Sequence, residues 1–136
     1  MVVSDDVDQD WEGILQETTD NVGNLVTQNK PFMNVVKIHS DAFKQESSAG
    51  GNRYPQVTNE LVNAIDTGAL VVNYFGHGGE DGLAQERILL KPDIEGFRNY
   101  YKLNCFVTVT CEFTKFDNPF RETAGEFTYW HKQAGA

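Results

Sequence analysis

Two apolar, β-branched runs constrain the fold most strongly. Apart from Asn73, residues 70–75 and 105–110 are apolar or β-branched, a composition typical of strands buried in a parallel sheet. Segments with helical periodicity lie before, between and after them, so strands and helices alternate along the chain. This alternation predicts an α/β domain with a mostly parallel sheet.

Each run leads directly into residues that can perform chemistry. The first run is followed by Gly76, His77 and Gly78, and the second by Cys111. Because the carboxyl ends of parallel strands meet at one edge of a sheet, where active sites of such folds collect, we expect these residues to lie together. A thiol needs a base or a cationic neighbour to be a good nucleophile, and an imidazole can be either. The sequence therefore predicts a cysteine-histidine dyad of His77 and Cys111.

The remaining elements are predicted from periodicity, caps and turn residues. In the first half of the chain, we predict a strand over residues 1–4, a helix capped by Asp10, a strand over 32–38 and an exposed flexible loop within 40–54. The apolar positions of that first helix are Trp11, Ile14, Leu15, Val22 and Leu25. Further along, we predict a helix from Pro55 to Gly68, a short edge strand over 88–90, a short helix over 93–99, and a last helix that begins at Asp117 and Pro119 and runs past Trp130.

Length and charge limit the kinds of partner. The chain has 136 residues, 40% of them hydrophobic, which is enough for one domain with a core. It carries 20 acidic and 11 basic residues, a formal net charge of −9, which argues against binding to nucleic acid or anionic membranes. No apolar run is long enough to span a membrane, so no membrane insertion by this segment is predicted. Both ends resemble cut elements, and we expect residues 1–136 to form a partial domain.

The two cysteines are not expected to form a disulfide with each other. They are six residues apart in a predicted strand, which separates them by roughly 20 Å, too far to pair. Cys105 is predicted to be a small core residue. Cys111 lies at the strand end, where exposure begins.

The acidic segment at residues 5–10 raises the possibility of a calcium site. Asp5, Asp6, Asp8 and Asp10 begin with a spacing similar to that of an EF-hand loop, but Trp11 stands where the glycine is obligatory. A solvated turn followed by a helix cap is the preferred interpretation.

Carboxylates and metals near the dyad give further alternatives. Asp5 or Asp6 can reach the sheet edge that carries His77 and orient its ring. A zinc site made by His77, Cys111 and a carboxylate is disfavoured because structural zinc sites need four clustered ligands. No metal or other cofactor is predicted.

The chain resembles the gingipain-type cysteine peptidases, and within that family the sortase branch of the type IX secretion system. The similarity is strongest in residues 74–87 and 108–119 and weaker in residues 4–6 and 52–55. The resemblance implies a caspase-like three-layer sandwich. It also implies that Cys111 is the nucleophile, that His77 is the general base or ion-pair partner, and that the amides of Gly78 and Cys111 form the oxyanion hole.

The function implied by the resemblance is acyl transfer on protein substrates at the outer face of a cell. Such an enzyme removes the C-terminal sorting domain of secreted cargo through a Cys111 thioester and can pass the product to an amine acceptor. Its partners would be cargo proteins and other type IX secretion components. The alternative is a catalytically inactive caspase-like fragment that binds proteins.

Overall fold

The computed structural model describes all of residues 1–136. Its strands are β1 (Val2–Ser4), β2 (Lys37–His39), β3 (Glu46–Ser48), β4 (Gly51–Arg53), β5 (Val71–Phe75), β6 (Gly78–Gly79), β7 (Gly82–Leu83), β8 (Leu89–Leu90) and β9 (Cys105–Val109), and its α-helices are α1 (Gly13–Asn29), α2 (Pro55–Gly68), α3 (Lys91–Glu95) and α4 (Ala124–Trp130). Short 3-10 turns occupy Asp10–Glu12 and Ser40–Ala42.

The main sheet has four parallel strands in the order β2-β1-β5-β9. Its register pairs Ser4 with Phe75 and Phe75 with Val109, so the carboxyl ends of β1, β5 and β9 lie side by side. Two small antiparallel sheets, β3-β4 and β6-β7-β8, lie outside it. The predicted α/β class with a mostly parallel sheet is confirmed.

Helices cover the main sheet on both faces. Successive strand residues point to opposite faces, and Val3 joins the buried cluster that contains the α2 side chains. Its neighbour Val2 faces α1, where a Cβ on Gly23 would lie 3.3 Å from a Val2 methyl group. The result is the predicted three-layer, caspase-like arrangement. No helix is both long and apolar enough to cross a membrane.

A single hydrophobic core connects the main sheet with α2, α3, α4 and the β6-β7-β8 sheet. Its buried side chains are Val3, Ile38, Tyr54, Val57, Leu61, Ile65, Val72, Tyr74, Leu83, Ile88, Leu89, Ile94, Phe97, Phe113, Ala124 and Ala134. The α2 helix begins at Pro55 and ends at Gly68, whose φ of +111° is a conformation that glycine adopts readily. Both predicted limits of this helix are confirmed.

The apolar face predicted for the first helix is wrong except at Leu15. Trp11, Ile14, Val22 and Leu25 are exposed, and α1 instead buries Leu15, Thr19 and Gly23. Small residues such as Gly23 allow the backbone of α1 to approach the main sheet closely. The spacing of apolar residues in the sequence does not reveal this close packing.

The predicted Asp10 cap is also wrong. Asp10 begins the 3-10 turn, and the Glu12 carboxylate accepts the backbone N–H groups of Asp8 at 2.8 Å and Gln9 at 2.7 Å.

Four other boundaries differ from the predictions. The short helix expected over 93–99 spans Lys91–Glu95. The strand expected over 32–38 is limited to Lys37–His39, and the loop within 40–54 contains the β3-β4 hairpin. The last helix does not begin at Asp117. It begins after Thr123, whose backbone N–H and hydroxyl both bind the Glu126 carboxylate, at 2.7 and 2.8 Å.

Cys105 is exposed, so its predicted core position is wrong. It lies on β9, an edge strand, on the face shared with Val107 and Val109, which are exposed as well. The α1 helix packs over β1 and β5, and no helix covers this face of β9. Both cysteines are free, as predicted.

Candidate active site

Three loops leave the carboxyl edge of the main sheet next to each other. The Asp5 N–H donates to the Phe75 carbonyl at 3.3 Å, and the Gly76 N–H donates to the Val109 carbonyl at 3.3 Å. The parallel pairing therefore continues one residue beyond β1 and one residue beyond β5. His77 follows Gly76 directly, and Cys111 lies two residues after Val109.

Gly78 brings the histidine loop against the cysteine loop. A Cβ on Gly78 would lie 2.5 Å from the Thr110 hydroxyl oxygen and 3.2 Å from the Cys111 carbonyl oxygen. Only glycine allows this approach. The structure thus brings together all three residues predicted for the site, His77, Gly78 and Cys111, although the His77 ring and the Cys111 thiol form no hydrogen bond.

Asp5 fixes the orientation of the histidine. Its Oδ2 atom lies 2.8 Å from the His77 backbone nitrogen and 2.9 Å from Nδ1. The Tyr74 hydroxyl donates to the His77 carbonyl at 2.6 Å and holds the same residue from below. Of the two carboxylates considered from the sequence, it is Asp5 that contacts the ring, while Asp6 accepts the Tyr54 hydroxyl at 3.0 Å.

A second carboxylate, Glu12, lies at the other edge of the ring. Its Oε1 atom is 3.4 Å from Nε2 of His77, and the residue is 1% exposed. The sequence analysis assigned no role to Glu12. The only signal was an acidic residue at the start of a helix, which a capping role explains equally well.

Trp11 forms the outer wall beside the histidine. Its ring meets the His77 ring edge to face, with the centroids 6.3 Å apart, and it remains 59% exposed.

Cys111 is accessible and has an unused backbone donor. The side chain is exposed, and its backbone N–H has no acceptor in the protein. Glu112, the next residue, has a φ of +50°, so the chain turns sharply directly after the cysteine. A free N–H on the residue that carries a nucleophile is well placed to stabilise an oxyanion.

Buried carboxylates accumulate behind the histidine. Oxygen atoms of Asp5, Asp6 and Glu86 all lie within 4.8 Å of one another. Burial raises the pKa of Glu86 to about 7, with repulsion from Asp6 as the next cause. Burial also raises the pKa of Asp5, although the hydrogen bonds from His77 act in the opposite direction.

No metal is assigned to this acidic group. Asp5 already binds His77, and Asp6 binds the Tyr54 hydroxyl. The solvated turn expected for residues 5–10 holds for Asp8 and Asp10, which are exposed, and is wrong for Asp5 and Asp6, which are buried.

A cleft of about 260 Å³ opens beside His77 and Gly78. Two carboxylates line it, and both are paired with cations. Lys91 and Arg121 hold the pKa of Asp81 below its usual range. The pKa of Glu80 is also lowered: desolvation raises it, but hydrogen bonds from Lys115 and Asn118 outweigh that effect.

Residues 1–136, the whole chain, match the model of Peptidase family C25. The chain belongs to this family. C25 is the gingipain family of cysteine peptidases, so a cysteine beside a histidine at the sheet edge fits the activity that the family implies. No curated protein and no solved structure matches the C25 chain significantly.

Proposed function

We propose that this C25 domain is a gingipain-type cysteine endopeptidase in which Cys111 is the nucleophile and His77 its base or ion-pair partner. One observation carries the proposal. The contact of Gly78 with Thr110 and with the Cys111 carbonyl brings the histidine and cysteine loops together at one edge of the sheet. The exposed thiol and the open cleft beside His77 give a peptide access to both.

The proposed reaction assigns one role to each group. The Cys111 thiol gives its proton to His77 before the attack, the thiolate sulfur then bonds to the peptide carbonyl carbon, and the carbon–nitrogen bond breaks as His77 passes that proton to the leaving amine. Water or an amine then resolves the thioester. The N–H groups of Gly78 and Cys111 stabilise the negative oxygen in both steps. Because Asp5 occupies Nδ1, Nε2 is the ring atom that exchanges the proton.

We also propose a specific class of substrate, which the family assignment alone does not give. We base this on the resemblance of residues 74–87 and 108–119 to the motifs of PorU, the sortase of the type IX secretion system. On this proposal the enzyme works at the cell surface, on the extracellular side of the outer membrane. It removes the C-terminal sorting domain of secreted cargo and passes the new terminus to an amine of a surface lipopolysaccharide, alongside other components of the secretion system.

A non-catalytic binding module is the second candidate. It is favoured by the absence of a hydrogen bond between Cys111 and His77 and by the exposed aromatic residues that follow the cysteine, Phe116 at 64% and Phe120 at 93% exposure. Such a module would hold a cargo segment without cutting it.

Cleavage of a junction peptide separates the two candidates. The full protein is incubated with a peptide that spans a cargo sorting-domain junction, with and without ethanolamine as the amine, and the products are read by mass spectrometry. We expect cleavage, an ethanolamide product when the amine is present, and loss of both in Cys111→Ser and His77→Ala. Binding of the peptide without cleavage in the wild type would favour the binding module.

A further inference from the structure

Glu12 holds a buried oxygen that no hydrogen bond satisfies. One carboxylate oxygen, Oε2, accepts the Asp8 and Gln9 N–H groups, whereas Oε1 is buried without a hydrogen-bond partner. Its nearest cationic neighbour is Nε2 of His77, at 3.4 Å. A buried carboxylate oxygen left without compensation costs several kcal/mol, so the position of His77 beside it requires an explanation.

The two ring nitrogens of His77 face two different carboxylates. Asp5 contacts Nδ1 at 2.9 Å and Glu12 contacts Nε2 at 3.4 Å. A carboxylate only accepts hydrogen bonds, and a neutral imidazole has one N–H. Both contacts are favourable together only when both nitrogens carry a proton.

We propose that Glu12 is a positioning residue that holds the Nε2 edge of His77 in the resting enzyme and keeps the ring doubly protonated beside a Cys111 thiolate. This inference rests on the proposed peptidase function. The long contact of 3.4 Å allows the leaving nitrogen of a peptide to replace Glu12 as the partner of Nε2.

The proton balance is complete with the residues present. Sulfur of the Cys111 thiolate bonds to the carbonyl carbon, the carbon–nitrogen bond breaks, and the Nε2 proton moves to the leaving amine. The neutral ring then takes a proton from the attacking water or amine, and Nε2–H returns to face Glu12. The carboxylate itself gains and loses no proton.

The charged groups that contact the His77 ring come from two segments. Asp5 follows β1, and Glu12 ends the 3-10 turn together with the uncharged Trp11. Cys111 lies in the adjacent loop, which Gly78 contacts. Asp6 and Glu86 lie behind Asp5. Glu12 is the only one of these groups aimed at Nε2.

The test compares Glu12→Gln with Glu17→Gln in the full protein. The Glu12→Gln substitution keeps the size of the side chain and an oxygen for the Asp8 and Gln9 N–H groups, and removes the charge opposite Nε2. Glu17 is an exposed residue of α1, so its substitution makes the same charge change away from the site. The readouts are the ¹⁵N signals of the His77 ring at pH 8, where an ordinary imidazole is almost fully neutral, the thermal midpoint, and kcat and KM on the junction peptide.

We expect the wild type and Glu17→Gln to show two protonated ring nitrogens. In Glu12→Gln, Nε2 should lose its proton, and kcat should fall about 10- to 100-fold, the scale of a charge-assisted hydrogen bond, with KM and the thermal midpoint close to those of the wild type. A merely structural role would lower the thermal midpoint and leave the ring signals unchanged.

The wild-type spectrum alone can overturn the inference. An unprotonated Nε2 in the wild type at pH 8 contradicts it even when Glu12→Gln does not fold. Unchanged ring signals and an unchanged kcat in a folded Glu12→Gln contradict it as well. Because the spectrum needs no substrate, a protein that fails to cleave any peptide would refute the proposed function and leave this test intact.

Discussion

A single carboxylate oxygen of Asp5 binds His77 twice, through the backbone N–H at 2.8 Å and through Nδ1 at 2.9 Å. Asp5 follows one strand and His77 follows its neighbour, so the pairing of β1 with β5 sets this contact. The same oxygen thus fixes the position of the loop and the direction of the ring. The main sheet itself therefore sets the orientation of His77.

Substitution of Asp5 tests this orientation. In Asp5→Asn the side chain keeps its shape, but it loses the charge, and its amide can present a donor to Nδ1. We expect kcat/KM to fall about 10²- to 10⁴-fold, the range over which a positioned acid–base group contributes. The measurement is steady-state cleavage of a junction peptide, with Asp10→Asn as the control because Asp10 is exposed in the same segment. Equal activities of the two variants would refute the role of Asp5.

The contact at Gly78 predicts a difference between two adjacent glycines. In Gly78→Ala the new methyl group would collide with Thr110 and the Cys111 carbonyl, whereas nothing lies within 4 Å of a Cβ on Gly79. We expect Gly78→Ala to lower the free energy of unfolding by about 1–3 kcal/mol, a typical cost of overpacking, and to abolish most of the activity. Gly79→Ala should have little effect on either. Urea denaturation and peptide cleavage measure both quantities, and similar behaviour of the two variants would contradict the described packing.

Glu86 makes stability depend on pH. Burial raises its pKa from 4.5 to about 7 in the folded protein, so folding favours the protonated form. Its contribution is fully present below pH 4.5 and is lost as the pH rises through 7. We expect Glu86→Gln to be more stable than the wild type at pH 8, by on the order of 1–3 kcal/mol, and to show a smaller loss of stability between pH 5 and pH 8.

Urea denaturation at pH 5 and pH 8 measures the effect of Glu86. Glu122→Gln is the matched control, since Glu122 is exposed and should leave both values unchanged. A Glu86→Gln variant that is less stable than the wild type at pH 8 would show that the carboxylate is held by favourable contacts.

The ion pairs of the cleft predict its substrate preference. Arg121 contacts both Glu80 and Asp81, so neither carboxylate is free to bind a basic side chain of a peptide. We expect junction peptides with Lys or Arg at the cleavage site to be poorer substrates than their Ala or Ser counterparts. Arg121→Gln should raise the relative kcat/KM for the basic peptides several-fold, because each carboxylate then loses one of its two cationic partners while Lys91 and Lys115 remain. No change in this ratio would place the specificity pocket elsewhere.

The sequence was sufficient to predict the location of those site residues that directly follow a strand. Runs 70–75 and 105–110 are apolar enough to be recognised as strands, and parallel strands bring His77 and Cys111 to one edge. Glu12 could not be predicted, because its capping contacts with Asp8 and Gln9 look the same in the sequence whether or not a histidine lies beyond them.

Burial was predicted poorly where it depends on which elements cover a face. Cys105 lies in an apolar run but is exposed, because α1 does not reach the edge strand β9. In α1, Thr19 and Gly23 are buried together with Leu15, whereas Val22 and Leu25 are exposed. Because α1 packs closely against the sheet, small residues fit best on its buried face. Which face is buried depends on the neighbouring sheet and cannot be read from the hydrophobic periodicity of the helix alone.

The central claim is that His77 activates Cys111, and alkylation kinetics test it most directly. The rate of reaction of each cysteine with iodoacetamide is measured from pH 4 to pH 10 by mass spectrometry, in the wild type and in His77→Ala. Cys105, which is exposed on the same strand, is the internal reference. We predict that Cys111 reacts far faster than Cys105 at pH 6, where an ordinary thiol is almost fully protonated, and that His77→Ala removes the difference. Equal rates at the two cysteines across the whole pH range in the wild type would contradict the account.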